Sequence, residues 1–207
     1  MNKRNNEYLV DIFKTYNDVL KVLLAEVEAT YSATPTLLFN EIRSSFDHIA
    51  RTYRDGIEEY EIENQLKKAQ SHIRRAIIDC YKFLNVFYQE KIVKFEKETR
   101  NIDLISIDNG RFYNEFKQNH ELAIESLREA KKLEGIDTEA AFQKYQESYN
   151  YLYDINQLIT ENYKKVTYKI FRQSSVYISK ILIWVIIALL SGIFLSSPVL
   201  KILKSIF

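Results

Sequence analysis

The side chains that could do chemistry are few in this sequence, which has three histidines, His48, His72 and His120. His48 follows Arg43 by five residues, so a guanidinium that can hold phosphate charge lies near an imidazole that can move protons. No histidine or cysteine pair has the spacing of a zinc site, and no glycine-rich phosphate loop occurs. We therefore expect no metal and no cofactor, and Arg43 with His48 is the one candidate catalytic pair.

The six residues from Arg43 to His48, RSSFDH, resemble the signature of HEPN ribonucleases, small helical domains common in bacterial defence and toxin systems. The resemblance implies metal-independent cutting of RNA at a dimer interface, with the RNA 2′-hydroxyl as nucleophile, Arg43 steadying the phosphate charge and His48 moving protons. The alternative is an ion ladder of Arg43, Asp47 and Arg51 on a solvated helix face. Five helical positions turn two side chains about 140° apart, which favours the ladder.

The other histidines predict structural roles. His72 precedes Asp79 by two helical turns, and a hairpin at Gly56 brings Arg43 opposite His72. We predict a polar cluster of Arg43, His72 and Asp79, with a buried network favoured over a catalytic site. His120 lies on the apolar face of its helix, which predicts a core or interface histidine.

The elements that position these residues are long helices, because apolar residues recur at steps of three and four and Gly and Pro number only 4 and 2. The pattern predicts helices over 7–30, 35–54, 57–99, 111–133 and from 137 onward. The side chain of Asp137 or Thr138 is expected to cap the start of the last one. The predicted core face of the second helix is Leu38, Ile42, Phe46, Ile49 and Tyr53. The third helix would span about 60 Å, so we expect a break, a bend or a protruding stalk over 91–97. The predicted fold is an all-α antiparallel helical bundle.

The stretch NIDLISIDNG, from Asn101 to Gly110, is the one segment without a helical period. Its apolar residues are Ile102, Leu104, Ile105 and Ile107. We expect a hydrophobic loop that covers a core, and the alternative is a contact with a partner or with lipid headgroups.

The stretch from Ile181 to Leu200 holds twenty residues and no charge. A helix of that length spans roughly 30 Å, the thickness of the hydrocarbon core of a bilayer. The prediction is a cytosolic helical bundle over 1–175 and a C-terminal transmembrane anchor with a short tail over 176–207. The helix that begins near 137 is predicted to run on into the span without a break.

Basic and aromatic residues mark the entry to the span: Lys164, Lys165, Lys169, Arg172, Lys180 and Trp184. Only Lys201 and Lys204 follow it. By the positive-inside rule, the body is cytoplasmic and the C-terminus lies outside. The basic group can also attract anionic lipid, which makes the lipid bilayer the predicted partner.

Composition narrows the classes of function. The 29 basic residues are balanced by 28 acidic ones, so a general nucleic-acid surface is not expected, DNA is not a predicted partner, and RNA enters only under the ribonuclease hypothesis. The single cysteine, Cys80, fits a reduced compartment and lies on an apolar face, where an inert thiol is expected.

Short single-span proteins with a cytosolic helical body resemble the membrane effectors of bacterial defence systems, including accessory proteins of RNA-guided immunity. The resemblance implies an oligomerising, non-enzymatic effector or regulator at the inner membrane that perturbs the membrane in antiviral defence. It also implies a protein or an RNA-guided complex as a partner. The alternatives are a membrane-tethered HEPN-like ribonuclease and a passive scaffold that holds a partner at the membrane.

Assembly must be organised by the body, because a single helix has no lumen. We predict the assembly surface on the third and last body helices, where the sequence has more apolar face than one bundle needs. Its residues are Phe83, Phe87, Tyr88, Tyr145, Tyr149 and Leu152.

Overall fold

A computed structural model describes the backbone of residues 3–196 and the side chains of residues 3–191. Regular structure in that range is helical throughout, which confirms the all-α prediction. The helices are α1 (Lys3–Thr15), α2 (Lys21–Tyr31), α3 (Thr36–Arg51), α4 (Glu59–Glu98), α5 (Arg111–Leu133), α6 (Thr138–Glu161) and α7 (Tyr163–Ser196). A π-helical turn, Tyr16–Leu20, joins α1 to α2, and a 3-10 turn, Ile107–Gly110, leads into α5.

Local sequence explains several helix ends. Pro35, with φ of −58°, immediately precedes α3, where a fixed φ suits the first turn. The carboxylate of Asp137 accepts a hydrogen bond of 3.0 Å from the backbone N–H of Ala140 and so caps the start of α6, as predicted. Gly135 follows α5 with φ of +86°, a conformation that ends helices and that glycine adopts without strain.

Helix α4 is the central element, and it packs against α1, α2, α3 and α6, while α5 packs along α6. It is an unbroken α-helix through residues 91–97, so the break expected there is absent. Nor is this end a protruding stalk, because Ile92 is fully buried and the Phe95 ring contacts the rings of Phe112 and Phe116. Packing against the start of α5 therefore holds this end of α4 inside the bundle.

The helix predicted to run unbroken from 137 into the span is instead divided at Asn162. This residue has φ of −95° and ψ of 6°, and its side-chain amide donates to the carbonyl oxygen of Leu158 at 3.0 Å, which ends α6. Helix α7 begins one residue later, and the N–H of Val166 donates to the Asn162 carbonyl at 3.0 Å. The interruption is thus one residue long and hydrogen-bonded on both sides.

The loop over 101–110 covers a small second core, as expected. The buried members of this core are Leu104, Ile107, Phe112 and Val166, and Ile102 and Ile170 pack beside them. Ile105 differs from its neighbours, since 63% of it is exposed. The loop therefore joins α5 to the beginning of α7 through apolar contacts.

Candidate functional site

Four polar side chains meet between α3 and α4, namely Glu41, His48, Gln65 and His72. The Nδ1 atom of His48 lies 2.6 Å from Gln65 Oε1, and the Nδ1 atom of His72 lies 2.7 Å from Glu41 Oε2. The two imidazole rings are stacked, with centroids 5.2 Å apart and planes 20° apart. Gln65 is buried and the other three are half-buried. We call these four residues the histidine cluster.

When the two imidazoles are neutral, their partners in the histidine cluster set their tautomers. Because Gln65 Oε1 and the Glu41 carboxylate are acceptors, the proton of each ring is assigned to Nδ1, and each Nε2 is left as a base. An imidazole in this state can accept a proton at Nε2, and it can act as an acid only after it has taken up that proton. Among the described residues, five surface clefts of about 280 to 490 Å³ are lined by other side chains than these histidines.

Arg43, the predicted catalytic partner of His48, points away from this cluster. The helical turn that directs His48 toward α4 leaves Arg43 on the outer side of α3, as expected for residues about 140° apart. Arg43, Asp47 and Arg51 are all exposed. The structure therefore brings His48 together with His72, which the motif did not suggest, and leaves Arg43 on a solvated face.

His72 and Asp79, which we predicted in one polar cluster, have different partners. Asp79 Oδ1 lies 3.4 Å from Lys82 Nζ, and that ammonium also pairs with Glu134, which accepts a 2.8 Å hydrogen bond from the Tyr145 hydroxyl. Burial raises the pKa of Asp79, whereas the hydrogen bond from Lys82 lowers the pKa of Glu134. This second group links α4 to the turn between α5 and α6.

His120 and Cys80 occupy structural positions. His120 is half-buried, with its Nε2 atom 3.1 Å from Gln89 Nε2 and its ring 6.1 Å from that of Phe116. Cys80 is fully buried, and burial raises the pKa of its thiol to about 12. A thiol in that state is not a nucleophile at neutral pH.

The residues predicted to form an assembly surface belong to the interior of the body. Tyr145 and Leu152 are each 1% exposed, and Tyr88 is also buried. Phe83, Phe87 and Tyr149 pack against the same core. A second copy of the chain therefore meets these side chains only at their edges, if at all.

Hydrogen bonds, as well as apolar packing, hold Tyr88 and Tyr149 in the interior of the body. The hydroxyls of Tyr88 and Tyr149 both donate to the carboxylate of Glu26, at 2.8 and 2.7 Å. Burial, followed by the bond to Glu26, raises the pKa of both phenols. Because Glu26 is on α2, Tyr88 on α4 and Tyr149 on α6, the three residues tie three helices together.

An exposed aromatic face on α3 was missed by sequence reasoning. Phe39, Phe46 and Tyr53 are 64%, 50% and 72% exposed, and their seven-residue spacing places them on one side of the helix and its extension. Of the predicted core face, Leu38 is buried and Ile42 and Ile49 pack against the core, whereas Phe46 and Tyr53 were wrongly assigned to it. The seven-residue recurrence was visible in the sequence, but it does not tell an inner face from an outer one. We call these three residues the α3 aromatic face.

Helix α7 is long and apolar enough over Tyr163–Ser191 to cross a membrane, and its most apolar window has no buried residue. Of the predicted flanking residues, Lys165 and Lys169 bind the loop over 101–110, while Lys164, Arg172, Lys180 and Trp184 are exposed. Residues 197–200 of the predicted span, and Lys201 and Lys204 beyond it, lie outside the described residues.

Within residues 3–191, no group of three or more His, Cys, Asp or Glu side chains is arranged to hold a metal ion. No family model, no curated protein and no solved structure matches the chain. Inference of function therefore rests on the geometry of the chain itself.

Proposed function

We propose that this chain is a membrane-anchored helical effector or regulator that acts without enzymatic chemistry at the bacterial inner membrane, perturbing that membrane in antiviral defence. Helix α7 carries the proposal, because its apolar window has no buried residue and it follows the body after a one-residue interruption. Exposing apolar side chains to water costs about 25 cal/mol per Å², and lipid removes that cost. A helix also satisfies its own backbone hydrogen bonds within the bilayer.

The proposed orientation places the body in the cytoplasm and the C-terminus outside, because basic residues crowd the N-terminal side of the span. Alkaline phosphatase fused to the C-terminus should be active, since this enzyme folds only outside the cytoplasm. An inactive phosphatase together with an active cytosolic reporter at the same position would reverse the orientation.

Perturbation of a membrane by this chain requires several copies, because one helix encloses no pore. The α3 aromatic face is the surface we assign to contact with a second copy. Copies anchored in one bilayer are held at one height, so this face of one copy can pack against a different surface of the next copy around an axis along the membrane normal. Phe39 and Phe46 supply the large aromatic area that such contacts use, and Arg43 lies between them.

The mass of the full chain in detergent tests this assembly. Phe46→Glu should reduce an oligomer to a monomer, because burying an unpaired charge in a contact costs several kcal/mol. Val22→Glu is the matched control, since Val22 is an exposed apolar residue on α2, and it should leave the mass unchanged. A monomeric wild-type chain would contradict the assembly. A monomeric Phe46→Glu variant that keeps its full effect in cells would favour the passive scaffold.

A second candidate function, a membrane-tethered HEPN-like ribonuclease, is favoured by the stacked pair of His48 and His72 with both Nε2 atoms left as bases. RNA cleavage by the full chain, with His48→Ala and Arg43→Ala variants, tests it. Under the effector proposal, Arg43→Ala costs at most about 1 kcal/mol of stability, because the side chain is exposed. Loss of RNA cleavage in a folded His48→Ala variant would place the ribonuclease above the effector.

A further inference from the structure

The loop over 101–110 is fastened to the first turns of α7 by polar contacts as well as by the second core. Lys165 Nζ lies 2.7 Å from Asp108 Oδ1, and Lys169 donates to the hydroxyl of Ser106. Further along α7, the side-chain amide of Gln173 donates to the carbonyl oxygen of Asn101 at 2.6 Å. The Asn101 end of the loop is therefore level with Gln173.

Helical geometry fixes the height of this end of the loop relative to a bilayer. Tyr177, which suits the interface, is four residues beyond Gln173, and at about 1.5 Å per residue it is roughly 6 Å further along α7. The headgroup layer is about 5 to 8 Å thick on each side of the hydrocarbon core. The uncharged span begins at Ile181, eight residues or about 12 Å beyond Gln173. With α7 in a membrane, Asn101 and the neighbouring end of α4 therefore stand a few ångström above the headgroup layer, within reach of long basic side chains.

The side chains at this level are suited to anionic headgroups. Lys97 and Arg100 at the end of α4 and Arg172 on α7 are exposed. The nearby acids are engaged, since Glu98 lies 3.9 Å from Lys94 and the Asp103 carboxylate accepts from the N–H of Ser106. The exposed Ile105 adds an apolar side chain to the same loop.

We propose that Lys97, Arg100 and Arg172, with the loop over 101–106, form a lipid-contact surface that binds anionic phospholipid headgroups of the bilayer that α7 spans. The inference rests on the proposed function, since it requires α7 in a membrane. Its basis is continuity, because the surface is joined to α7 by the Gln173–Asn101 hydrogen bond and a buried core, so it has little freedom to leave the membrane. Such a contact sets the tilt of the body and makes it sensitive to the lipid composition.

The composition of the chain makes a direct test possible. Trp184 is the only tryptophan and lies in the span, so it reports insertion of α7. Cys80 is the only cysteine and is fully buried, so a thiol probe reacts with an introduced cysteine instead. Asn101→Cys places a fluorophore on the proposed surface. Ile136→Cys is the control, because exposed Ile136 follows the far end of α5, a helix about 35 Å long.

The full chain is reconstituted into phosphatidylglycerol–phosphatidylcholine vesicles that carry a spin-labelled headgroup. We expect quenching of the probe at position 101 and none at 136. Quenching at 101 should decrease in vesicles of phosphatidylcholine alone, and with Lys97→Glu plus Arg100→Glu, because the body then tilts away from the headgroups, but it should stay above the level at 136. It should persist with Lys131→Glu plus Lys132→Glu, the same charge change at the far end of α5.

The outcomes separate this inference from the proposed function. If lipids labelled along the acyl chain quench Trp184 while the probe at 101 stays unquenched, α7 is inserted and the lipid-contact surface is refuted. Quenching at 101 that is equal in neutral and anionic vesicles, or unchanged by the reversed charges at 97 and 100, also refutes it. If Trp184 is not quenched, the membrane anchor itself fails.

Discussion

Helices α6 and α7 are separated by a single residue and both are rich in large apolar side chains, yet they place them in opposite environments. The buried residues of α6 recur at steps of three and four on one face: Ala141, Tyr145, Ser148, Leu152 and Ile155. In the described part of α7, Val166 alone is buried and Ile170 packs beside it, and the apolar residues beyond Ile170 are exposed around the whole helix. A one-sided stripe is satisfied by a protein core, whereas a helix that is apolar on every side needs lipid.

Specific side-chain contacts mark the transition between α6 and α7. Asn162 ends α6 through its own side chain, and the loop over 101–110 then covers only the beginning of α7. The body thus holds the start of α7 and leaves the rest of it, as far as residue 191, exposed. The same large apolar residue types therefore stabilise the core in α6 and, under the proposed function, place α7 in the membrane. Substitutions in each helix should separate these two effects.

The largest effect is expected from charges in the middle of α7. Ile186→Arg combined with Leu190→Arg should cost about 5 to 7 kcal/mol of insertion free energy, at roughly 2.5 to 3.5 kcal/mol for each arginine. The fraction of the chain that resists alkaline extraction from membranes measures this loss. The control is Ile186→Leu combined with Leu190→Ile. Full membrane retention of the double arginine variant would mean that α7 is not the anchor.

Replacing one leucine in α6 and one in α7 with alanine should show that only α6 contributes to the stability of the body. Leu152→Ala in α6 creates a cavity in the core and is expected to lower the free energy of unfolding of the body by about 2 to 5 kcal/mol. Leu182→Ala in α7 removes the same atoms from an exposed position and should leave that free energy unchanged. Denaturant unfolding in mild detergent compares the two. Equal losses would show that α7 packs against the body.

The link between α2, α4 and α6 gives a smaller effect. Glu26→Ala leaves the hydroxyls of Tyr88 and Tyr149 without their acceptor, and hydrogen bonds to charged groups are worth about 1.5 to 3 kcal/mol. Glu26→Gln keeps an acceptor oxygen and should lose less. The same unfolding measurement checks this prediction, and equal losses for the two variants would argue against the hydrogen bonds as the cause.

The smallest effect is a dependence of stability on pH that comes from Glu134 and Asp79. The pKa of Glu134 is lowered in the folded chain, so its contribution is present above the ordinary pKa of 4.5 and is lost as the pH falls through the lowered value. Since the side chain is 46% exposed, Glu134→Gln should cost at most about 1 kcal/mol at pH 7 and less at pH 3.

Asp79 has the opposite sign. Burial raises its pKa, so its contribution to stability is greatest at low pH and declines as the pH rises through the raised pKa. The change in the free energy of unfolding caused by Asp79→Asn should therefore be more favourable at pH 7 than at pH 3. Unfolding curves of Glu134→Gln and Asp79→Asn at pH 3 and pH 7 test these two predictions. If the effects of both variants on the free energy of unfolding shift in the same direction between the two pH values, the opposite roles of Glu134 and Asp79 are contradicted.

The sequence was sufficient for the elements whose signals are local. Apolar periodicity located the body helices, the Asp137 cap located the start of α6, and the absence of charge located α7. Periodicity could not locate the end of α6, because the apolar stripe continues past Asn162 and helical backbone hydrogen bonds, Asn162 to Leu158 and Val166 to Asn162, are kept on both sides of the interruption.

The candidate site was less predictable, because its contacts join distant residues. Glu41 is 31 positions before His72 and Gln65 is 17 positions after His48, so neither pairing has a sequence signal. The α3 aromatic face was misassigned for a related reason, since a seven-residue recurrence identifies one side of a helix without saying which side meets α4.

The most direct test of the central claim, that the body acts through its membrane anchor, compares the full chain with a chain that ends at Lys180 in the same cells. The account predicts that, at equal expression, the full chain collapses the membrane potential reported by a voltage-sensitive dye. The chain that ends at Lys180 should remain soluble and folded and leave the potential unchanged. If the truncated chain has the full effect in cells, its activity is cytosolic and the membrane-effector account is wrong.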